Sequence, residues 1–372
     1  MSKVTVIGAG NGGVTAAYHF AKLGHQVCIY DDPKFDTQIK AIQKTGGIEA
    51  LAEDHDCQMC FPGFSKIELA TTDIAQAMAF ADIFVMVAPS FAQEPLFATM
   101  LPHLKDNQTL LLMPGNYGGL VLKKMLKDHG KQDLKITFAD AISIPWACRI
   151  VSPGVITIMG IKEFLPLSIM ESGQTKEEAR DKIKDILPIP VEVLANPVAA
   201  GLENINFGGH PLLTTLNMGI LENYNGEFNY YRDCCSTATS KAAARMDQER
   251  LSVGKALGIH LRTELEAMNA LYASDYATVY EFNRASTTHG KINNAPNSSK
   301  ARYITEDVAY LLVPCYELAK ICGLKVPIVE SCINIASAYN DTDYFSTGRT
   351  LKKMGFDGMN LQELKDELKK IN

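Results

Sequence analysis

The 372-residue sequence predicts an α/β domain followed by an all-helical domain. In the first half, short apolar runs alternate with segments of helical length, which is typical of a parallel sheet covered by helices. After Asn196-Pro197 this alternation stops, and residues 210–339 have a mostly helical pattern. We therefore predict one domain over residues 1–197 and a second over residues 198–372.

The predicted elements of the first domain are short and follow one another closely. Strands are expected at Val4–Ile7, Gln26–Tyr30, Ile83–Val87, Thr109–Met113, Ile136–Ile142, near Arg149, at Val155–Met159 and at Val191–Leu194. Helices are expected at Val14–Leu23, Glu94–Leu104, Leu120–Asp128 and Lys176–Ile186. In the second domain, "GKINNAPNSS" (residues 290–299) predicts a long loop because it is rich in Asn, Ser and Pro.

Composition and charge exclude several classes of protein. A net charge of −6 argues against a nucleic-acid binder, which usually carries a basic surface. The sequence has no apolar run long enough for a membrane span, and its first residues lack the pattern of a signal peptide. Its nine cysteines are scattered and odd in number, which argues against a disulfide framework. We expect a cytoplasmic protein that binds neither nucleic acid nor membranes.

A glycine-rich motif lies between the first predicted strand and the first predicted helix. It matches G-x-G-x-x-G and consists of Gly8, Ala9, Gly10, Asn11, Gly12 and Gly13. In such a motif the first glycine permits a tight turn, the second lets the backbone approach a pyrophosphate, and the third lets helix and strand pack closely. The phosphates would lie at the helix N-terminus, which favours anions. The motif in this context predicts a Rossmann-type, doubly wound parallel sheet that binds a dinucleotide.

Asp31 follows the second predicted strand and indicates which dinucleotide is bound. Its carboxylate would accept hydrogen bonds from the adenosine ribose and repel the 2′-phosphate of NADP. We therefore expect NAD(H), although Lys34 follows closely and NADP(H) is not excluded. A second loop, "MPGNYGG" (Met113–Gly119), follows another strand end and would face the nicotinamide, or would be a simple Pro-Gly turn.

His210 is the first candidate catalytic residue of the second domain. Pro211 suits the first position of a helix, so His210 would be the N-cap of that helix. The positive end of the helix dipole would lower the pKa of the imidazole and make it suitable for acid–base catalysis. The alternative is a histidine that only caps the helix.

The segment "KARYITEDVAYLLVP" (residues 300–314) supplies two further candidates. Thr305 would be an N-cap, with Glu306 and Asp307 in the first helical turn and Arg302 just outside it. Asp307 would then be a partner of the helix dipole, and Arg302 either a surface arginine or a guanidinium fork that binds a carboxylate.

Two other sets of polar residues carry weaker signals. Cys57 and Cys60 have C-x-x-C spacing with His55 nearby, but no second pair completes a zinc site. Asp247 and Arg250 are expected on a solvated or interdomain helix face.

The chain resembles the opine dehydrogenases of the octopine/nopaline group over nearly its whole length. The resemblance depends on the glycine motif and on "IPWACRIVSPG" (144–154), "GGHPLLTTLNMGILE" (208–222), "ARYITEDVAYLLVP" (301–314) and "GRTLKKMGFDGMNLQEL" (348–364). It implies that His210 is catalytic, that Asp307 supports it, and that Arg302 binds a substrate carboxylate. One departure is Trp146, where the family usually has tyrosine and where we expect an altered pocket.

The resemblance also implies the reaction. An NADH-dependent opine dehydrogenase condenses a 2-oxo acid, usually pyruvate, with the amino group of an amino acid and reduces the resulting C=N bond. No metal is required, and the protein would be a monomer or a homodimer.

Two alternatives remain open at this point. A 2-hydroxy-acid, ketopantoate or glycerol-3-phosphate dehydrogenase would share the two-domain organisation, but those families place a catalytic lysine near the start of the helical domain. Here that position holds His210, and the next lysine is Lys241. A sensor that binds NAD without catalysis is the other alternative, although His210, Arg302 and Asp307 are all present.

Overall fold

The computed structural model describes residues 1–52, 61–286 and 295–371. The chain forms two compact units, Met1–Ala200 with Ile371, and Gly201–Lys370. Each unit contains its own cluster of buried apolar side chains.

The first unit is built from strands and connecting helices. Its strands are β1 (Lys3–Ile7), β2 (Gln26–Tyr30), β3 (Gly47–Leu51), β4 (Gly63–Lys66), β5 (Leu69–Thr71), β6 (Ile83–Met86), β7 (Thr109–Leu112), β8 (Thr137–Ala141), β9 (Trp146–Ser152), β10 (Val155–Ile161), β11 (Leu165–Met170) and β12 (Val191–Val193). Its helices are α1 (Asn11–Lys22), α2 (Thr37–Thr45), α3 (Ile74–Phe80), α4 (Ser90–Met100), α5 (Gly118–Asp128), α6 (Lys176–Ile186) and α7 (Pro197–Leu202), which reaches into the second unit.

The main sheet has eight strands in the order β12-β11-β8-β7-β6-β1-β2-β5. The six strands from β8 to β5 are parallel to their neighbours, β11 is antiparallel to β8, and β12 is parallel to β11. The parallel strands have almost continuous apolar sequences because helices cover parallel sheets on both faces. The predicted Rossmann-type sheet is confirmed.

A second sheet, in the order β4-β3-β10-β9, packs against α1. The sequence predicted only its β9 and β10 strands. Trp146, the first residue of β9, is 2% exposed and donates a hydrogen bond from Nε1 to Nδ1 of His19 on α1, over 2.7 Å. Trp146 is therefore part of the core of the first unit, and the altered pocket that we expected there stays a prediction.

The second unit is helical throughout its described residues, as predicted. Its helices are α8 (Asn206–Gly209), α9 (Pro211–Leu216), α10 (Met218–Asn223), α11 (Tyr230–Asp233), α12 (Thr237–Leu257), α13 (Glu264–Leu271), α14 (Val279–Ala285), α15 (Arg302–Thr305), α16 (Val313–Ile321), α17 (Pro327–Asn340), α18 (Tyr344–Thr347), α19 (Leu351–Met354) and α20 (Leu361–Lys370). A π-helical turn, Val308–Leu312, precedes α16. The first half of the predicted loop 290–299 lies outside the described residues.

The longest described helix, α12, has end signals that can be read from the sequence, but it also carries two charged residues whose environment was predicted wrongly. Ser236 and Thr239 form a capping box at its start, and Gly258 ends it in the left-handed conformation. On this helix, Asp247 Oδ1 accepts a 2.6 Å hydrogen bond from Nη2 of Arg250, and both residues are less than 9% exposed. The predicted solvated face is therefore wrong, and the pair is a buried ion pair, in which Arg250 also donates to the backbone carbonyls of Leu202 and Arg262 of the same unit.

None of the described helices is long and apolar enough to cross a membrane.

Candidate active site

The glycine motif forms the turn between β1 and α1, and Gly10 is the N-cap of α1. Gly8 has a φ of +103°, and a Cβ there would lie 2.5 Å from the carbonyl oxygen of Val87. A Cβ on Gly13 would lie 1.9 Å from the carbonyl oxygen of Gly8. The protein's own backbone therefore requires glycine at both positions, as the first and third roles in the motif predict.

Gly10 differs from its neighbours because the protein itself does not require a glycine there. Its φ is −75°, and a Cβ on it would meet no atom within 4 Å. An alanine would fit this structure without strain. The absence of a side chain is explained by a ligand that must approach the backbone closely at the helix N-terminus, as a pyrophosphate does. The residues of this loop therefore fit a dinucleotide.

Asp31 lies beside the glycine loop, as the motif requires. Its Oδ2 accepts a 2.8 Å hydrogen bond from the backbone N–H of Ala9, and its Oδ1 accepts one from Asp32. Burial raises the pKa of Asp31, and these two hydrogen bonds oppose that shift. The carboxylate thus holds the loop in position at the end of β2.

The side chain of Asn11 has a different partner. Its Oδ1 accepts a 2.7 Å hydrogen bond from the backbone N–H of Ile150 on β9, which ties the second sheet to the start of α1. A cofactor contact from Asn11 would therefore come from its backbone or from its Nδ2 amide group, which keeps two N–H donors.

The loop Met113–Gly119 is anchored by buried polar side chains that pattern reading missed. Asp140, 1% exposed, accepts a 2.9 Å hydrogen bond from the N–H of Gly119 at the start of α5. Gln93 donates to the carbonyl of Pro114, and Asn116 donates to Ser90 Oγ. Asp140 lies inside the apolar strand β8. A carboxylate within an apolar run was the only feature of the sequence that could have indicated its role.

His210 is the N-cap of α9 with Pro211 at the first helical position, as predicted. Its Nδ1 lies 2.8 Å from Oδ2 of Asp307, although the two residues are 97 positions apart in the sequence. His210 is 7% exposed and Asp307 is 1% exposed. The structure thus brings together a buried histidine and carboxylate that the sequence offered as separate candidates.

Three tyrosines surround His210. Its Nε2 lies 3.0 Å from the hydroxyl of Tyr231. The ring of Tyr303 stacks on the imidazole, with 3.6 Å between ring centroids and 5° between ring planes. The hydroxyl of Tyr230 donates to the backbone carbonyl of His210. Sequence reasoning missed all three because tyrosines at such positions usually belong to an apolar core.

The segment around Arg302 differs from the predicted helix start. Ala301 is the N-cap of α15, Arg302 is its first residue, and Thr305 is its last. The predicted N-cap at Thr305, with Glu306 and Asp307 in a first turn, is therefore wrong. Instead, the chain passes from α15 into the π-helical turn through these two acidic residues.

Glu306 and Asp307 each contact a different candidate functional residue. Asp307 holds His210, while Oε2 of Glu306 lies 3.3 Å from Nε of Arg302. Glu306 is buried, whereas the Arg302 side chain is 55% exposed. The guanidinium is therefore anchored at one edge and presented to solvent, as a carboxylate-binding fork must be.

Burial dominates the electrostatics of the His210–Asp307 pair. It lowers the pKa of His210 to about 3, and the charge of Arg302 lowers it further, whereas Glu306 opposes the shift. Burial also raises the pKa of Asp307 to about 8, against the influence of Arg302. The predicted fall in the pKa of His210 is confirmed, but its main cause is burial and not the helix dipole. Both shifts favour the uncharged form, so the pair can take up or release a proton near neutral pH.

A metal centre has no support in the described part of the chain, where no three acidic, histidine or cysteine residues are grouped to bind an ion. The C-x-x-C residues Cys57 and Cys60, with His55, lie outside the described residues.

A glycine loop on a Rossmann sheet and a buried His–Asp pair with an exposed arginine define a nicotinamide-dependent dehydrogenase. The family model "NAD/NADP octopine/nopaline dehydrogenase, alpha-helical domain" matches residues 193–340. The model "NAD-dependent glycerol-3-phosphate dehydrogenase N-terminus" matches residues 3–132. An opine dehydrogenase from Arthrobacter sp. (strain 1C) is 30% identical, over 95% of each chain. The chain belongs to the opine dehydrogenase family and is an NAD(P)-dependent enzyme that reductively condenses a 2-oxo acid with an amino acid.

Solved structures show the same fold at low sequence identity. An octopine dehydrogenase solved with NADH and L-arginine has a TM-score of 0.79 and 19% identity, covering 99% of this chain and 98% of its own. A yersinopine dehydrogenase with NADP⁺ bound has a TM-score of 0.71 and 15% identity, covering 99% of this chain and 98% of its own. The helical domain matches the octopine/nopaline dehydrogenase model, which favours the opine reaction over the hydroxy-acid and glycerol-3-phosphate dehydrogenase alternatives.

Proposed function

We propose that this enzyme condenses pyruvate with the α-amino group of an amino acid, with His210, Asp307 and Arg302 as its functional side chains. The observation that carries the proposal is the buried His210–Asp307 pair, whose oxygen–nitrogen distance is 2.8 Å, next to the exposed guanidinium of Arg302. Pyruvate is proposed because an octopine dehydrogenase of the same fold was solved with NADH and pyruvate.

Arg302 would bind the carboxylate of the oxo acid. A guanidinium offers two parallel N–H donors to the two carboxylate oxygens, which fixes both the position and the orientation of the bound acid. Oε2 of Glu306 forms an ion pair with the Nε edge of the guanidinium, so the terminal N–H groups of Arg302 would be left to bind the substrate. The bound carbonyl carbon would then be held in a defined direction for attack by the amine.

His210 would move protons during imine formation. The ammonium group of the amino acid must lose a proton before its nitrogen can attack the carbonyl carbon. The resulting carbinolamine hydroxyl must then gain a proton to leave as water, which gives a protonated imine. His210 can serve both steps because Asp307 fixes its tautomer and shares a proton with it, so the pair can take up one proton and release it again.

Residues 8–13 and Asp31 would hold the cofactor in the first unit. NADH, when bound, supplies the hydride that reduces the imine carbon. The backbone N–H groups at the start of α1 would bind its pyrophosphate, and Asp31 would favour NADH over NADPH by repelling a 2′-phosphate. We therefore assign cofactor binding to residues 1–197 and substrate binding and catalysis to residues 198–372.

The test is NADH oxidation with pyruvate alone and then with pyruvate and each amino acid in turn. We expect oxidation only when both substrates are present, and the amino acid that supports it identifies the amine substrate. Oxidation with pyruvate alone would instead indicate a hydroxy-acid dehydrogenase. A cytoplasmic location and a monomeric or homodimeric state stay predictions.

A further inference from the structure

Both ring nitrogens of His210 already have protein partners. Nδ1 is 2.8 Å from Asp307 Oδ2, and Nε2 is 3.0 Å from the Tyr231 hydroxyl. His210 is also 7% exposed, so little of the ring reaches solvent. In this arrangement a substrate cannot form a hydrogen bond with Nε2 unless Tyr231 moves away. If His210 exchanges protons with a substrate, another group must therefore carry them.

The hydrogen bonds continue outward from Tyr231. The Tyr231 hydroxyl and the Tyr303 ring both lie against the imidazole of His210. Burial raises the pKa of Tyr231, and a side-chain hydrogen bond to Tyr303 raises it further. Tyr231 is 8% exposed, whereas Tyr303 is half-buried and adjacent to the exposed Arg302. Nε2 of His210, the Tyr231 hydroxyl and the Tyr303 hydroxyl thus form a continuous path from a buried atom towards the residue that would bind the substrate carboxylate.

We propose that Tyr231 and Tyr303 form a proton relay between the substrate and the buried His210–Asp307 pair. The inference rests on the proposed function, and it adds a route for the proton to the reaction. Tyr303 would be the group that contacts the substrate, and Tyr231 would connect it to the imidazole.

Each transfer in the relay is balanced. When the substrate ammonium loses a proton to the Tyr303 oxygen, Tyr303 passes its own proton to Tyr231, and Tyr231 passes its proton to Nε2. Both tyrosines remain neutral, and the His210–Asp307 pair gains one positive charge. The reverse sequence delivers a proton to the carbinolamine hydroxyl, which leaves as water. The relay requires neutral tyrosines, and burial raises the pKa of Tyr231 well above its ordinary value.

The stacked ring of Tyr303 gives the relay a fixed geometry. Because the two ring planes differ by 5° and Asp307 holds Nδ1, rotation of the imidazole would break both contacts. Nε2 therefore stays directed at Tyr231. The titratable groups that face His210 are Asp307, Glu306, Arg302, Tyr230, Tyr231 and Tyr303.

Whether the His210–Asp307 pair donates or accepts a proton depends on how many protons it already holds. Burial raises the pKa of Asp307 to about 8, so below that pH the pair holds an additional proton and can donate it through Nε2. We therefore expect kcat for the reductive reaction to fall as the pH rises through about 8. This dependence reaches the substrate only through an intact relay.

The test is the Tyr231→Phe variant, which keeps the ring but removes the hydroxyl. We expect kcat to fall about 10²-fold, within the usual range for lost acid–base catalysis, with little change in NADH affinity. The fall in kcat near pH 8 and the solvent deuterium isotope effect on kcat should both weaken, since the pair is disconnected. A merely structural role would lower kcat without changing either profile.

Tyr230→Phe is the matched control. Tyr230 precedes Tyr231 on α11, is fully buried and also contacts His210, but its hydroxyl bonds to Thr214 and to backbone carbonyls rather than to Nε2. We expect this variant to keep the wild-type pH profile and isotope effect, whatever its effect on stability. If Tyr231→Phe does not fold, Tyr303→Phe is measured in the same way, because it removes the outer hydroxyl and keeps the stacked ring.

The relay and the proposed function fail in different ways. Wild-type kcat, pH profile and isotope effect in Tyr231→Phe, with His210→Ala inactive, would overturn the relay and leave the proposed function intact. Full activity in His210→Ala would overturn the proposed role of the histidine itself.

Discussion

The glycine loop of the first unit and the polar cluster around His210 in the second unit are built in opposite ways. The loop uses consecutive residues 8–13, and its function depends on backbone N–H groups and on missing side chains. The cluster uses side chains from α9, α11 and the segment 302–307, with its central pair separated by 97 residues. A binding site for a phosphate can thus be made locally, whereas acid–base chemistry required buried side chains from distant segments.

Because the two sites are built from different parts of the chain, variants of the loop and variants of the cluster should impair different kinetic parameters. Substitutions in the loop should change cofactor affinity, because the loop would bind the pyrophosphate of the cofactor. Substitutions in the cluster should change turnover or the KM of a substrate and leave cofactor affinity unchanged. Each of the following variants tests this separation.

The largest effect is expected for His210→Ala. Removing the acid–base group should lower kcat by about 10³-fold, within the usual range for such groups, while NADH binding stays intact. Steady-state kinetics and fluorescence titration with NADH measure the two effects separately. His260→Ala, which removes an exposed histidine of the same unit, is the control and should be silent. A parallel loss of NADH affinity in His210→Ala would contradict the separation.

A smaller effect is expected for Gly10→Ala, and it should fall on NADH affinity and not on kcat. Its Cβ meets no protein atom, so the melting temperature should be unchanged. The methyl group should clash with the bound pyrophosphate and cost about 1–3 kcal/mol, the typical penalty for overpacking. That penalty corresponds to roughly a 5- to 150-fold rise in the Kd for NADH.

Gly13→Ala is the comparison for the loop. Its Cβ would lie 1.9 Å from the carbonyl oxygen of Gly8, so this variant should lose thermal stability even without cofactor. An unchanged Kd for NADH in Gly10→Ala, or a loss of thermal stability equal to that of Gly13→Ala, would mean that the glycine at position 10 is not explained by a ligand.

An effect of similar size, on a substrate and not on the cofactor, is expected for Arg302→Lys. An ammonium keeps the charge but loses the fork, so one charge-assisted hydrogen bond of about 1.5–3 kcal/mol should be lost. We expect the KM for the oxo acid to rise roughly 10- to 150-fold. Arg180→Lys, at an exposed arginine in the first unit, is the matched control. An unchanged KM in Arg302→Lys would move the carboxylate site elsewhere.

Local features of the sequence predicted much of the first unit. The predicted strand Gln26–Tyr30 and helix Lys176–Ile186 have the observed bounds, because apolar runs and end signals act within a few residues. The glycine motif and Asp31 were predicted for the same reason. Strands β3 and β4 were missed because they are short and each begins with a glycine, and only the pairing of β3 with β10 and of β4 with β3 makes them part of a sheet.

Side chains near the catalytic centre were harder to interpret. His210 was correctly placed at a helix N-cap, because Pro211 is a local signal. The start of α15 was misplaced, because the π-helical turn after Asp307 has no pattern of its own in the sequence. Asp247 and Arg250 were assigned to an exposed or interdomain face, because their mutual burial depends on packing around α12.

The sequence by itself determined the Rossmann-type sheet, the glycine loop with Asp31, the helical second domain and the candidate residues His210, Arg302 and Asp307. Only the tertiary structure decided that Asp307 meets His210, and that Tyr231 and Tyr303 surround the imidazole. The physical reason is range. Backbone conformation and helix ends follow from neighbours a few residues away, whereas contacts between distant side chains, and the pKa shifts that burial causes, exist only after the helices have packed.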